Sequence, residues 1–101
     1  MRLYVGQVPL QPLVITVLDG LTPVDLGLYA DVDLLLTDPD GEPVDTSAGF
    51  TSVDDGRLKF VWPLVTLFPS AGDYRMTVRA SGPGVLDYSD PYVIEVLSLR
   101  G

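Results

Sequence analysis

Short runs in which hydrophobic and polar side chains alternate occupy most of this chain. The clearest run is Asp73–Ser81, where every second residue from Tyr74 to Ala80 is apolar and the residues between are charged or carry a hydroxyl. A period of two residues is typical of a β-strand with one buried face. Similar runs, and one continuous apolar run, predict strands over Leu13–Leu18, Tyr29–Leu36, Arg57–Trp62, Asp73–Ser81, Val85–Tyr88 and Tyr92–Leu97.

Turn residues separate these runs. Asp38-Pro39-Asp40-Gly41, Asp54-Asp55-Gly56 and Ser81-Gly82-Pro83-Gly84 are turn sequences, because Pro presets one turn torsion and Gly accepts a positive φ. With 10 Gly and 9 Pro in 101 residues, little room remains for a helix of ordinary length. About seven short strands at a spacing of roughly ten residues predict an all-β fold, an antiparallel β-sandwich. A small β-barrel is the alternative.

The first twelve residues differ from the rest of the chain. They contain two Pro, two Gln and one Gly, a composition that suits an extended segment better than a core strand. We therefore expect an extended N-terminal arm over residues 1–12 and a single β-sandwich domain over residues 13–101.

The composition excludes several kinds of chemistry. The chain has no Cys and no His, which removes disulfides, thiolate metal sites, a cysteine nucleophile and the commonest general base. A formal charge of -8 makes it a poor partner for nucleic acid, since phosphate contacts need clustered Lys and Arg. Hydrophobic residues make up 47% of the chain, too many for a disordered acidic protein. We expect a folded protein that is not an enzyme and holds no cofactor.

Two long stretches, Leu3–Leu18 up to Asp19 and Phe60–Gly72, carry no charge. Pro interrupts both stretches and Gln interrupts the first, so neither approaches the about 18 continuous apolar residues of a membrane helix. We therefore expect no membrane contact and no cleavable signal. Core strands explain part of each stretch. Because interface cores are depleted of charge, the remainder predicts contact with neighbouring subunits. The candidate contact residues are Leu3, Tyr4, Val5, Val8, Leu10, Leu64, Val65, Leu67 and Phe68.

One cluster of acidic residues is similar to part of a metal-binding loop. Asp38, Asp40 and Glu42 resemble the start of a calcium-binding loop, but such a loop needs a Glu at its twelfth position, where this chain has Gly49. Pro39 also suits a tight turn. We therefore interpret the segment as a solvated hairpin turn and regard the three acids as weak metal candidates.

Two further acidic groups could suggest hydrolysis. Asp45-Thr46-Ser47 is close to the Asp-Thr-Gly loop of homodimeric aspartic proteases, but it has Ser in place of the glycine, and a polar loop is favoured. Asp31 and Asp33 share a strand face at a separation of about 7 Å, a spacing close to that of glycosidase carboxylates. Nothing in the pattern predicts a cleft beside them, so a solvent-facing strand is favoured.

The aromatic residues divide into two sets. Trp62 alternates in phase with Leu58 and Phe60, which predicts packing in the core. Tyr4, Tyr29 and Tyr88 are candidates for exposed aromatic side chains, and carbohydrate binding through them stays open as an alternative.

From Val32 onward, four segments in order carry a resemblance to a known family. They are Val32–Gly41 (VDLLLTDPDG), Leu58–Pro63 (LKFVWP), Ser70–Arg75 (SAGDYR) and Ser89–Val96 (SDPYVIEV). Their order and spacing are similar to those of the N-terminal Ig-like domain of phage baseplate upper proteins and related minor tail proteins. Residues 63–69 (PLVTLFP) are more apolar than that pattern.

The resemblance implies an Ig-like β-sandwich and a structural, non-catalytic protein of a tailed-phage virion. It would act as a minor tail or baseplate protein, assembled in the bacterial host cytoplasm and packed in several copies against itself and other virion proteins. A capsid decoration or head–tail joining protein would share these features. The alternative from a different class is an Ig-like module that binds carbohydrate or another component of the host surface.

Overall fold

The computed structural model describes residues 1–98. Within that range the chain forms short strands and one 3-10 helix, Leu26–Leu28, and it contains no helix of ordinary length, as the turn spacing predicts. The last three residues of the predicted domain, 99–101, lie outside the described residues. The strands are β1 Arg2–Tyr4, β2 Leu13–Ile15, β3 Leu18–Asp19, β4 Thr22–Pro23, β5 Asp31–Thr37, β6 Pro43–Val44, β7 Phe50–Asp54, β8 Arg57–Val61, β9 Gly72–Gly82, β10 Val85–Tyr88 and β11 Tyr92–Leu97.

The larger sheet is built around β9. Its strand order is β1-β11-β9-β5-β6, and β10 also pairs with β9. β11 pairs with the first half of β9, from Gly72 to Met76, and β10 pairs with the second half, from Arg79 to Gly82. β5 covers the other side of β9 in antiparallel register. All pairs in this sheet are antiparallel except β1 with β11.

The smaller sheet has the order β2-β8-β7 and lies across the core from the first. Its hairpin between β7 and β8 is closed by Asp55 at φ 53° and Gly56 at φ 75°, the two positive φ values of a tight hairpin turn. The predicted turn at Asp54-Asp55-Gly56 is therefore confirmed. A separate hairpin of two strands, β3 and β4, follows β2.

An aromatic row joins the two sheets. The ring centroids of Phe60 and Trp62 are 5.2 Å apart, those of Trp62 and Phe68 are 5.6 Å apart, and those of Phe68 and Tyr74 are 5.0 Å apart. Their edge-on and tilted arrangements suit the charge distribution of aromatic rings. The rest of the buried core comprises Leu3, Leu13, Leu26, Leu34, Leu36, Leu58, Met76, Val78, Ala80, Ile94 and Val96.

These observations confirm an antiparallel β-sandwich. Within residues 1–98 no strand of the larger sheet pairs with a strand of the smaller sheet, so the sheets do not close on one another and the barrel alternative is wrong. The core position of Trp62 is also confirmed, with 9% of its surface exposed.

Some predicted boundaries differ from those of the structure. The run Leu13–Leu18 is divided, because the Val24 amide donates to the Val17 carbonyl at 2.8 Å and starts the β3–β4 hairpin there. The next strand begins at Asp31 rather than Tyr29, since the 3-10 helix Leu26–Leu28 precedes it. The Asp25 carboxylate caps that helix by accepting the Gly27 amide at 2.9 Å.

The expected N-terminal arm is partly a strand of the sandwich. Arg2–Tyr4 pairs with β11, and Leu3 is only 6% exposed between two exposed neighbours. The Gly6 amide donates to the Phe68 carbonyl at 2.9 Å, which continues the attachment. The Pro and Gln residues that suggested an arm all come after Tyr4, so they leave the pairing of β1 with β11 undisturbed. Only the part of residues 1–12 beyond this strand fits the description of an arm.

Candidate functional site

The predicted subunit-contact residues divide into buried and exposed groups. Leu3 and Phe68 belong to the core of the chain itself, with 6% and 0% exposure, so their side chains are not part of its exposed surface. Val5 and Leu67 are partly buried against the same core. The remaining candidates are exposed: Tyr4 at 45%, Val8 at 39%, Leu10 at 93%, Leu64 at 97% and Val65 at 75%.

Two loops hold the most exposed of these candidates close together. The indole Nε1 of Trp62 donates to the Gln11 carbonyl at 3.1 Å, and the Thr66 hydroxyl donates to the Gln7 carbonyl at 2.9 Å. These bonds fix residues 7–11 beside residues 62–66, so Leu10 and the pair Leu64–Val65 lie at the same end of the smaller sheet.

The outer face of that sheet extends the same surface. Phe50 of β7 lies opposite Val61 of β8, and their side chains are 66% and 43% exposed. We define the apolar end patch as the five residues Leu10, Phe50, Val61, Leu64 and Val65. The sequence pattern missed Phe50 and Val61, although Val61 lies within the charge-free stretch Phe60–Gly72 and Phe50 lies within the uncharged residues 46–53.

Single exposed hydrophobic residues are ordinary, since about half of any protein surface is apolar. The apolar end patch differs because its members come from segments held together by the Trp62–Gln11 and Thr66–Gln7 hydrogen bonds and by the β7–β8 pairing, and no charged residue occurs in 60–72. Neighbouring apolar side chains without charges among them are typical of the core of a protein–protein interface.

The weak metal candidates form the predicted turn. One carboxylate oxygen of Asp38 accepts the amides of Asp40 and Glu42, both at 2.9 Å, and the Gly41 amide donates to the Asp38 carbonyl at 2.9 Å. Within residues 1–98 no three acidic side chains are placed so that they could hold a metal ion. The Asp38 side chain therefore has a structural role that accounts for its position.

Asp45 and Asp33 likewise have local partners. The Ser47 hydroxyl and then the Ser47 amide lower the pKa of Asp45, and the amide donates to its carboxylate at 2.9 Å. Asp45 is exposed, and its carboxylate closes a turn within its own loop. Asp33 binds the Arg79 guanidinium at 2.7 Å, so the Asp31–Asp33 grouping is not a free pair of carboxylates.

The candidate surface tyrosines do not form one aromatic platform. Tyr4 lies on β1 beside Leu97, whereas Tyr88 lies on β10 opposite Arg79, at the other half of the larger sheet. Tyr29 donates its hydroxyl to the Asp87 carboxylate at 2.8 Å. The carbohydrate alternative therefore has no platform built from these three rings.

The hydrogen bond between Tyr29 and Asp87 should make the ionisation of Tyr29 and the stability of the fold depend on pH. It raises the pKa of Tyr29 above its ordinary value of about 10. Because the folded pKa exceeds the unfolded one, the stabilisation is fully present below about pH 10 and is lost as pH rises through the folded pKa. In an ultraviolet titration we expect Tyr29→Phe to remove an ionisation step above pH 10. In Asp87→Asn this step should move to lower pH, and an unmoved step would contradict the assignment.

A groove that the sequence pattern did not indicate lies along one side of the sandwich. It has a volume of about 580 Å³ between β2 and the break that separates β10 from β11, residues 89–91. Met76 and Val78 of β9 form part of its wall, and Tyr92 and Met1 lie at one end. We call this the edge groove.

Among residues 1–98 the chain has no helix that is long and apolar enough to cross a membrane. A comparison of the chain with protein-family models gives no match. A comparison with curated proteins gives no match either.

Proposed function

We propose that this protein is a structural, non-catalytic component of a tailed-phage virion, most simply a minor tail or baseplate protein that packs against neighbouring subunits. The apolar end patch is the observation that carries the proposal, because Leu10 and Leu64 are 93% and 97% exposed there. The resemblance of Val32–Val96 to Ig-like domains of phage baseplate proteins supports the virion setting. A capsid decoration or head–tail joining protein would use the same surface.

The free energy gained by covering the apolar end patch favours assembly. Covering one fully exposed Leu contributes about 1.5–3 kcal/mol, so a patch with two such residues and three further apolar neighbours supplies a large part of the free energy of a stable contact. The charge of -8 repels free copies from one another and keeps the unassembled chain in solution. Catalytic residues play no part in this mechanism.

Particle incorporation tests the proposal. We expect the wild-type chain in purified virions of the phage that encodes it, and we expect Leu64→Asp with Val65→Asp to reduce its copy number at least tenfold. A charged residue in a buried apolar contact is costly because its desolvation has no compensating partner. The measurement is quantitative mass spectrometry of particles.

Leu21→Asp is the matched control, since Leu21 is 96% exposed but lies in the β3–β4 turn, outside the apolar end patch. Both variants alter exposed residues, so their unfolding free energies should stay within about 0.5 kcal/mol of wild type. The proposal fails if the wild-type chain is absent from particles, or if the double variant is incorporated as efficiently as Leu21→Asp.

A further inference from the structure

Three Asp-Gly pairs occur in this chain, and each lies in a tight turn. They are Asp19-Gly20 between β3 and β4, Asp40-Gly41 between β5 and β6, and Asp55-Gly56 between β7 and β8. A peptide bond that joins Asp to Gly rearranges readily, because Gly has no side chain to shield its amide nitrogen from the Asp carboxyl group. The three pairs share this local sequence, so differences in their reactivity depend on the fold.

The rearrangement needs only the Asp carboxyl group, the next amide and water. The Gly nitrogen attacks the carboxyl carbon Cγ of a protonated Asp side chain and closes a succinimide ring, while the amide hydrogen and the carboxyl hydroxyl leave as water. A water molecule then cleaves one of the two ring C–N bonds. Cleavage at Cγ restores Asp. Cleavage at the original main-chain carbonyl leaves a β-aspartyl linkage, in which the main chain runs through the side chain and is longer by one carbon.

Hydrogen bonds restrain the pair Asp40-Gly41. The Gly41 amide donates to the Asp38 carbonyl at 2.9 Å, which holds the attacking nitrogen in place. One carboxylate oxygen of Asp38 also accepts the amides of Asp40 and Glu42, both at 2.9 Å. Attack on Cγ would require this turn to open first, and a turn closed by several hydrogen bonds opens rarely.

The pair Asp55-Gly56 is restrained by its neighbours. The Gly56 amide has no acceptor among residues 1–98, but the Gly56 carbonyl accepts the Leu26 amide at 2.9 Å. The Asp55 carboxylate lies 3.9 Å from the Arg57 guanidinium. A longer main chain in this turn would also disturb the pairing of β7 with β8, whose inner side chains are part of the core.

The pair Asp19-Gly20 has none of these restraints. Within the described part of the chain, the Gly20 amide has no acceptor, and the Asp19 carboxylate makes no hydrogen bond or ion pair. The β3–β4 hairpin around it is exposed throughout residues 18–23 and pairs with neither large sheet. Apart from chain neighbours, no atom of residues 1–98 lies within 4 Å of the Cβ position at Gly20. Small exposed elements of this kind open at little cost.

We propose that Asp19-Gly20 is the main site at which this protein acquires a β-aspartyl linkage. The Gly20 amide nitrogen attacks Asp19 Cγ, and the hairpin accommodates the longer main chain because its two strands belong to neither sheet of the sandwich. The product keeps the formal charge of the chain, with the carboxylate now attached directly to Cα. This modification does not depend on the proposed function.

Incubation of the purified full chain tests the proposal, at mildly acidic pH to supply the protonated carboxyl group and below the unfolding temperature. The aged protein is digested with a protease that cleaves before Asp but not before a β-aspartyl residue, and the peptides are quantified by mass spectrometry. We expect cleavage before Asp19 to be lost at least tenfold faster than cleavage before Asp40, and also faster than cleavage before Asp55.

Two controls separate the fold from the local sequence. In urea, which removes the turns, the three rates should agree within threefold. Asp38→Ala, which frees the Asp40 and Glu42 amides, should speed the loss of cleavage before Asp40 at least fivefold. Asp31→Ala removes an exposed carboxylate at the far end of β5 and should leave that rate within twofold.

Any of three results would overturn this inference. The first is no loss of cleavage before Asp19 in the native chain under conditions in which the unfolded chain loses it. The second is loss before Asp40 or Asp55 as fast as before Asp19. The third is the same order of rates in urea as in the native protein, which would assign the difference to local sequence. Because the incubation uses the isolated chain, its failure is distinguishable from absence of the protein from particles.

Discussion

Phe68→Ala is expected to lower the free energy of unfolding by about 3–5 kcal/mol, the range found for truncation of buried aromatic residues. Phe68 is 0% exposed and packs between Trp62 and Tyr74, at centroid distances of 5.6 and 5.0 Å. Its removal leaves a cavity between the two sheets. Since small domains have about 5–15 kcal/mol of stability in total, the variant should be close to the limit of folding.

Urea denaturation followed by circular dichroism measures this change. Circular dichroism is preferred to fluorescence because the loss of Phe68 itself alters the fluorescence of the neighbouring Trp62. Leu64→Ala is the control: Leu64 lies in the same loop but is 97% exposed, so its unfolding free energy should stay within about 0.5 kcal/mol of wild type. Equal stability of the two variants would contradict the assignment of Phe68 to the core.

Gly49→Ala is expected to lower the free energy of unfolding by about 1–3 kcal/mol, the usual cost of overpacking. A Cβ at Gly49 would lie against Phe60 Cζ, 2.6 Å from Phe60 Cε1 and 2.7 Å from the Val61 carbonyl oxygen. Phe60 is 0% exposed and cannot move aside freely. The added methyl group therefore displaces either a core ring or strand β8.

Gly82→Ala makes the same chemical change without the collision, since the nearest atom to its Cβ is the Ala30 amide nitrogen at 3.8 Å. It should leave stability unchanged or raise it by up to about 1 kcal/mol, because alanine restricts the unfolded chain. Thermal unfolding of both variants gives the comparison, and a Gly49→Ala protein as stable as Gly82→Ala would show that β7 and β8 can move apart.

The alternation of polar and apolar residues predicted the strands that have one exposed and one buried face. Asp73–Ser81 and Tyr92–Leu97 lie almost at the bounds of β9 and β11, because alternation is a property of the strand itself. The turn at Asp54-Asp55-Gly56 was likewise predictable, since its torsions depend on its own residues.

The candidate surfaces depend on contacts between distant residues, and the sequence pattern could not supply them. Phe68 and Leu64 belong to one charge-free loop between Pro63 and Pro69, where no strand or helix period distinguishes inward from outward positions. Phe68 is buried because its ring packs against the rings of Trp62 and Tyr74, whereas Leu64 is exposed. The edge groove depends on the gap between two sheets, so no single segment could indicate it.

The pairing of β1 with β11 has a consequence for the time course of folding. Arg2 lies opposite Glu95, so β1 has no partner until residues more than 90 positions later in the sequence have been made. Contacts between residues so far apart in sequence slow folding, and sandwiches of this kind typically need milliseconds to seconds. During synthesis, at about 5–20 residues per second, β1 stays without β11 for several seconds. In a ribosome-bound chain of this protein, β1 and one side of β9 therefore have unpaired backbone groups until β11 has been made.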